Sequence, residues 1–272
     1  MCIRDRLQTV RQLIRKDNKK YSMPYCRIKD APAFPVRGLM LDVGRNYMSV
    51  PFLKSVVRRL SHYKINVLHL HLSDDPGWRV EVNKYPELTV ETSFWPTRQP
   101  GKFYTQEDIK SICDFCDSLN IRVIPEIDMP GHSAAFRKAI GKDMQTPEGM
   151  QVLKEALDEI IPLFKDSLFH IGSDEVHFKM KEFMPEMIRY VRSKGKQVVV
   201  WYPGYAPDSN AVRMCWGEYE AGYSLDKSAP YIDCNGFYMD WMDSQGGVLQ
   251  TFFQYPCEVP QAGGKALGSE MC

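Results

Sequence analysis

The sequence has few of the features that mark a membrane protein or a polyanion-binding protein. No apolar run of about 18 residues occurs, so no membrane span is predicted. The 35 basic and 34 acidic residues nearly balance, and no basic stripe or charge block indicates a nucleic-acid partner. No glycine-rich phosphate loop follows a predicted strand. What remains is a globular chain of 272 residues with enough apolar material for one large core.

The eight cysteines are not spaced as in a zinc ribbon. Cys113 and Cys116 form a C-x-x-C, but they continue a helical pattern of apolar residues. We therefore expect them to pack in a helix core rather than to bind a metal. The first six residues are not followed by the apolar stretch of a secretory signal peptide. Cysteine usage does not assign a compartment.

After an N-terminal segment, the chain alternates predicted strands and helices. Helical spacing covers 7–16, and a polar link runs to about residue 35. Further helices are predicted over 51–64, 105–119, 147–165 and 180–195, with Ser49 and Thr105 as N-caps. Strands are predicted over 38–43, 66–72, 121–127, 168–173, 197–202, 212–216, 231–235 and 266–271. This alternation favours a (β/α)8 barrel, with a doubly wound parallel sheet as the alternative.

Polar and aromatic residues follow one predicted strand after another. A barrel gathers all its strand ends at one mouth, whereas a doubly wound sheet concentrates functional residues at a single switch point. The spread over many strands favours the barrel. The residues are Asp42, His69, His71, Asp74, Asp75, Glu126, Asp128, His132, Asp174, Glu175, Trp201, Trp216, Asn235, Tyr238 and Asp240.

Two adjacent carboxylates, Asp174 and Glu175, end an apolar strand-like run. Neighbouring side chains of an extended strand point to opposite faces, so the pair can share a site only where the backbone bends. Two acids at a strand end invite unequal pKa values, which suits acid-assisted bond cleavage. The structural alternative is a helix N-cap with a charged first turn.

A metal-dependent hydrolase is one candidate, because His69 and His71 share a face of a strand, and His132, His170 and nearby Asp residues could complete a Zn²⁺ site. The pair lies within the second strand, before its end, where a hydrogen-bonded core histidine is more usual. We therefore expect no metal.

Glycoside cleavage is the favoured candidate. It needs carboxylates for acid assistance, aromatic walls for apolar sugar faces, and a few charged groups for hydroxyls. Predicted strand ends supply Trp201, Trp216, Tyr238, Asp240, Arg37, Asp174 and Glu175.

Four segments carry a family resemblance. They are RGLMLDV at 37–43, HLHLSDDPGWR at 69–79, PEIDMPGH at 125–132 and HIGSDE at 170–175. In order and spacing they resemble glycoside hydrolase family 20, the β-N-acetylhexosaminidases, and the likeness runs from about Leu7 to Cys272. The resemblance implies retaining, substrate-assisted removal of terminal β-linked GlcNAc or GalNAc from a glycan, without metal or organic cofactor.

The resemblance also implies roles for single residues. Glu175 matches the general acid/base, and Asp174 matches the carboxylate that orients the 2-acetamido group, whose carbonyl oxygen is the nucleophile. Ser173 replaces a glycine usual in the family and Pro76 a common glutamine; we expect little effect of Ser173. The remaining assignments are Arg37 and Asp240 to sugar hydroxyls, Trp201 and Trp216 to the walls of the acetamide pocket, Tyr238 to the acetamide carbonyl, and Asp128, His132 and Asp74 or Asp75 to a network behind the acid.

Residues 1–34 resemble a leader and the last helix of a small α+β domain with a linker, and 35–272 the catalytic barrel. The family's next pocket tryptophan and substrate-binding glutamate would lie beyond Cys272. We therefore expect a barrel that is incomplete at its eighth β/α unit and a chain that alone is weakly active or inactive. The family resemblance implies that the full-length protein is exported. The alternative from another class is a non-catalytic sugar-binding barrel, which the intact Asp174–Glu175 pair disfavours.

Overall fold

The computed structural model describes residues 3–205, 210–216, 229–234 and 266–272. Its centre is a closed barrel of eight parallel strands in which neighbours in sequence are neighbours in space. We number the strands β1 Val36–Asp42, β2 Val67–His71, β3 Arg122–Glu126, β4 Leu168–His170, β5 Gln197–Tyr202, β6 Val212–Cys215, β7 Tyr231–Asp233 and β8 Ala266–Met271. The predicted (β/α)8-type barrel is confirmed.

Helices join strands on the outside of the barrel, as parallel crossovers require, and the first helix of the chain lies at the barrel's amino end. They are α1 Ile3–Leu13, α2 Val50–His62, α3 Gln106–Ser118, α4 Ala134–Ile140, α5 Pro147–Ile160 and α6 Phe183–Ser193, with 3-10 turns at Pro86–Thr89, Glu91–Ser93 and Ile161–Leu163. The predicted caps are confirmed, because the hydroxyls of Ser49 and Thr105 accept backbone N–H groups of the first turns of α2 and α3. Cys113 and Cys116 are buried in α3, also as predicted. No helix in the described ranges is long and apolar enough to cross a membrane.

Two short antiparallel pairs stand apart from the barrel. Arg15–Asp17 pairs with Lys20–Ser22 after α1, and Ser73–Asp74 pairs with Gly77–Trp78 just beyond β2. The second pair begins the loop that carries Asp74 and Asp75, so it holds these carboxylates close to the end of β2.

The barrel was expected to be incomplete at its eighth β/α unit, but the strand of that unit, β8, is formed. It is six residues long, and it pairs with β7 on one side and with β1 on the other. Both hydrogen-bonding edges of β8 are therefore occupied, and the sheet closes without an open edge.

The alternation of side chains in β2 shows how functional groups reach the barrel interior. Leu68 and Leu70 point outward and pack in the layer between sheet and helices. Val67 points inward and packs in the interior cluster. Because successive side chains of a strand alternate in direction, His69 and His71 follow Val67 up the inside of the barrel. Both imidazoles are buried there.

Candidate active site

Four functional side chains form one layer across the carboxyl ends of β1 to β4. Asp42 is the register partner of His71, His71 of Glu126, and Glu126 of His170. Side chains in register on adjacent strands of a barrel point to the same level, and this level is the one just below the mouth. The sequence prediction that strand ends would meet at one mouth therefore holds for these strands.

The backbone after β4 bends sharply and brings the two adjacent carboxylates to the mouth. Gly172, Ser173 and Glu175 have φ values of 64°, 92° and 46°. A Cβ at position 172 would overlap the carboxylate of Asp128. Ser173 adopts a conformation that favours glycine, at a cost of roughly 1 kcal/mol. Since α6 begins only at Phe183, Asp174 and Glu175 do not cap a helix.

One imidazole links three carboxylates. His132 Nε2 lies 3.5 Å from Glu175 Oε2 and 3.8 Å from Asp174 Oδ2, and His132 Nδ1 lies 3.8 Å from Asp74 Oδ2. The Glu175 side chain is 59% exposed, whereas that of Asp74 is 2% exposed. Asp75 instead accepts the Ala134 backbone N–H at the start of α4. Of the two acids predicted for this network, Asp74 faces His132.

Asp174 is held in a setting that disfavours its charge. Burial, followed by the nearby charge of Glu126, raises the pKa of Asp174 to about 6, and His132 only partly offsets this. Its Oδ1 is buried and accepts no hydrogen bond from the described residues. Burial and the charges of Asp174 and Glu126 also raise the pKa of Asp128 well above the usual range. The carboxylate of Asp174 would therefore gain from a donor or a positive charge brought by a ligand.

Below the mouth, Glu126 is the centre of a buried ionic network. Its carboxylate accepts the indole N–H of Trp201 at 2.6 Å and contacts His71 Nδ1 at 2.7 Å. The other His71 nitrogen contacts Asp74 Oδ2 at 3.0 Å. Although burial alone would have the opposite effect, these partners hold the pKa of His71 well above, and that of Glu126 well below, the usual range. His71 is therefore an imidazolium that ties Glu126 to Asp74.

The His69-x-His71 pair is part of this network rather than an open ligand set. His69 Nδ1 contacts Glu270 Oε1 at 2.7 Å, and its Nε2 lies 3.0 Å from Glu126. Burial opposes the charge of His69, but the two carboxylates raise its pKa to about 10. Nitrogens of both imidazoles therefore already face carboxylates inside the barrel.

Two tryptophans line the inner side of the mouth. Trp201 is buried, and its ring centroid lies 4.7 Å from that of His170. Trp216 is half-buried, donates its indole N–H to the Pro203 carbonyl at 3.1 Å, and packs in the same interior cluster as Trp201. The structure therefore brings both predicted wall residues together. Tyr238 and Asp240 lie outside the described residues.

The prediction for Arg37 was wrong about its place. Arg37 lies at the amino end of β1, where its guanidinium contacts Asp5 Oδ2 at 3.1 Å and the Phe34 and Lys64 carbonyls. This is the end of the barrel opposite to the mouth. Arg37 therefore cannot reach a ligand bound beside Glu175.

A different arginine lies at the mouth, and the sequence prediction missed it. Arg45 follows β1 by three residues and contacts Asp42 at 2.7 Å and Asp74 at 2.9 Å. Its side chain is 42% exposed, so part of the guanidinium remains available to a ligand. The sequence feature that could have identified Arg45 is its position. It follows Asp42, the last residue of β1, in the segment Asp42-Val-Gly-Arg45.

Fold and site together define a (β/α)8-type barrel with a carboxylate pair, a bridging histidine and an aromatic wall at the carboxyl end of its strands, which is the arrangement of a barrel glycosidase. Comparison with known proteins gives the family. The model of the glycosyl hydrolase family 20 catalytic domain matches residues 34–148. The β-hexosaminidase of Vibrio furnissii is 33% identical over 250 aligned positions, and the alignment covers 71% of this chain and 41% of that protein.

Solved structures agree. The chitobiase of Flavobacterium johnsoniae superimposes with a TM-score of 0.83 and 29% identity, over 97% of this chain and 48% of the other. A mutant β-hexosaminidase of Streptomyces plicatus in complex with the product GlcNAc superimposes with a TM-score of 0.83 and 26% identity. The superposition covers 98% of this chain and 65% of the other. The chain belongs to glycosyl hydrolase family 20. It spans less than half the length of the Vibrio relative, and about half to two thirds of these two solved chains.

Proposed function

We propose that the protein is an exo-acting, retaining β-N-acetylhexosaminidase that removes terminal GlcNAc or GalNAc with the substrate's acetamido group as nucleophile. The observation that carries the proposal is the placement of Asp174, Glu175 and Asp74 around one imidazole of His132 at the barrel mouth. A family 20 relative binds the product GlcNAc at its own site, which supports an N-acetylated sugar as ligand.

In the first step, Glu175 donates its proton to the glycosidic oxygen. The acetamido carbonyl oxygen attacks C1 as the bond to the leaving group breaks, and an oxazolinium-like intermediate forms. Positive charge then spreads onto the acetamido nitrogen. The ionised Asp174, which has an oxygen free of protein hydrogen bonds in the described part of the chain, accepts that N–H and offsets the charge.

In the second step, Glu175 acts as a base. It takes a proton from a water molecule, whose oxygen attacks C1 from the face that the leaving group has vacated. The C1–carbonyl oxygen bond breaks and the acetamido group is restored. Two displacements at C1 retain the β configuration. The imidazole of His132 faces Glu175 on one side and Asp74 on the other, so it can stabilise the charge that Glu175 gains and loses during the reaction.

The surrounding side chains suit a single terminal sugar. Trp201 and Trp216 offer apolar faces for the acetamido methyl, and the Trp201 ring is fixed by its hydrogen bond to Glu126. Arg45 can donate to sugar hydroxyls from its exposed side. Tyr238 and Asp240 stay predictions for the acetamide carbonyl and a hydroxyl. We also propose that the full-length protein is exported, on the family resemblance alone; fractionation of cells would test this.

Glu175→Gln tests the acid role in protein expressed from its full open reading frame. The change should lower hydrolysis of natural glycans, which have poor leaving groups, far more than that of aryl glycosides with acidic leaving groups. An aryl leaving group departs without a proton, so it needs no acid. Steady-state kinetics on both substrates, with the exposed Glu182→Gln as control, gives the comparison.

Equal losses on the two substrates would contradict the acid role of Glu175. A non-catalytic sugar-binding barrel, the second candidate, would bind GlcNAc without hydrolysing either substrate. Its favouring observation is only that Trp201 and Trp216 pack together as an aromatic wall, whereas the carboxylate–imidazole arrangement favours catalysis.

A further inference from the structure

Two thiols and a carboxylate meet inside the barrel at the ends of β7 and β8. One ligand atom each of Cys234, Glu270 and Cys272 lies within 4.8 Å of the others. Cys234 and Glu270 are fully buried, and Cys272 is half-buried. Cys234 and Cys272 pack in the interior cluster that holds Trp201. None of the three has a role in the proposed hydrolysis.

Among the described residues, only one oxygen of the Glu270 carboxylate has a partner. Its Oε1 contacts His69 Nδ1 at 2.7 Å, whereas its Oε2 is buried and has no hydrogen-bond partner among the described residues. An unpaired carboxylate oxygen in a dry interior costs free energy unless a donor or a cation meets it. The two neighbouring groups are thiols, which are weak donors but strong metal ligands once they lose their protons.

We propose that Cys234, Glu270 and Cys272 form a binding site for one thiophilic divalent cation, of which Zn²⁺ and Cd²⁺ are the examples. Two cysteines with one carboxylate, and a water as fourth ligand, are a donor set that Zn²⁺ accepts in tetrahedral geometry. Metal–sulfur bonds of about 2.3 Å place two thiolates roughly 3.8 Å apart, which lies within the observed spacing.

The binding step balances in protons and electrons. Binding breaks two S–H bonds, releases two protons to the buffer and forms two metal–sulfur bonds, with no change of oxidation state. The imidazole of His69 lies 2.7 Å from the Glu270 carboxylate and faces it from strand β2.

The site would tie the last two strands of the barrel together. Cys234 directly follows β7, and Glu270 and Cys272 lie at the end of β8. A bound cation would therefore cross-link β7 to β8 beside Trp201, in the wall of the proposed acetamide pocket.

Cadmium titration of the 272-residue chain, kept reduced and freed of metal by a chelator, tests the proposal. Thiolate-to-cadmium charge transfer gives an ultraviolet absorption, which should saturate at one Cd²⁺ per chain. Cys234→Ser and Cys272→Ser should each abolish it. Cys215→Ser is the matched control, because Cys215 ends the neighbouring strand β6 but packs in a different cluster with Tyr202 and Tyr231; it should leave the absorption unchanged.

Alkylation of the wild-type chain keeps the test decisive if a variant fails to fold. Cd²⁺ should protect Cys234 and Cys272 from a thiol reagent, as read by peptide mass spectrometry, and should leave the exposed Cys26 reactive. No absorption in the wild type, an absorption that survives Cys234→Ser, no protection of either thiol, or a Cys234–Cys272 disulfide that persists in reductant would each overturn the proposal.

Discussion

At the scale of single residues, Asp174 shows a conflict between stability and the proposed chemistry. Its pKa in the folded chain is about 6, against a usual value of 3.8, chiefly because the side chain is buried. The folded state therefore holds this proton more tightly than the unfolded state, and stability falls as pH rises from about 4 to 6. Above that range the ionised carboxylate costs the fold at most about 3 kcal/mol.

Asp174→Asn should separate these two effects. Removing the charge should raise the free energy of unfolding at neutral pH by about 1–3 kcal/mol, and this gain should vanish near pH 4. The barrier to hydrolysis should rise by several kcal/mol, because an amide cannot offset positive charge on the acetamido nitrogen. Urea unfolding at the two pH values and steady-state kinetics measure both.

The exposed Asp17→Asn, in the first short hairpin, is the control and should change neither quantity. Near-normal turnover of Asp174→Asn would contradict its assignment, and an unchanged stability at neutral pH would contradict the raised pKa.

At the scale of elements, helix α1 is fastened to the amino end of the barrel by buried charges. The guanidinium of Arg4 donates to the Ile65 and Asn120 carbonyls, at the starts of β2 and β3. The carboxylate of Asp5 contacts both Arg4, at 2.7 Å, and Arg37, at 3.1 Å. The helix therefore begins earlier than the predicted residue 7, and Arg37 serves this junction.

Asp5→Asn should loosen that junction. The change leaves two guanidinium groups without their shared carboxylate in a largely buried place, which should lower the free energy of unfolding by about 2–4 kcal/mol. Chemical denaturation measures the loss. Arg6→Gln, an exposed change in the same helix, should have little effect, and a loss for Asp5→Asn no larger than for Arg6→Gln would contradict the fastening role.

The elements also show what could be predicted from sequence. The β/α alternation and the capping residues Ser49 and Thr105 are local patterns, so helices and strands were placed within a few residues. The wrong choice of Arg37 over Arg45 arose because a family motif was carried over without regard to strand direction. Arg37 precedes the strand and Arg45 follows it, and only the following end faces the mouth.

At the scale of the whole molecule, the contacts across the barrel could not be predicted. The role of Glu126 depends on the His69–His71 pair and Trp201 meeting it inside a closed sheet, and all three are far from Glu126 in sequence. The choice of Asp74 over Asp75 depends on the short hairpin after β2. Sequence patterns predicted which residues stand at strand ends, but packing decides which of them touch.

The interior network should make the barrel sensitive to alkaline pH. The folded pKa of His69 is about 10, above its usual 6.5, so its contribution to stability is complete below about 6.5 and is lost as pH rises through 10. The free energy of unfolding should therefore fall between neutral pH and pH about 10.

His69→Gln should remove much of that slope, because an amide has no proton to lose in this range. Urea unfolding between neutral pH and pH about 10 measures the slope of the free energy of unfolding against pH. The exposed His62→Gln should keep the wild-type slope. Equal slopes for the wild type and His69→Gln would contradict a charged His69 in the barrel.

The proposed chemistry requires that the mouth around Asp174 and Glu175 stabilise a cyclised acetamido group. A GlcNAc-derived thiazoline, which mimics the oxazolinium intermediate, tests it most directly by calorimetric titration of the protein expressed from its full open reading frame. The thiazoline should compete with GlcNAc and bind at least ~100-fold more tightly, since a site complementary to the intermediate prefers its analogue. Asp174→Asn should lose most of this preference. A thiazoline that binds no more tightly than GlcNAc would contradict a site built for the cyclised acetamido group.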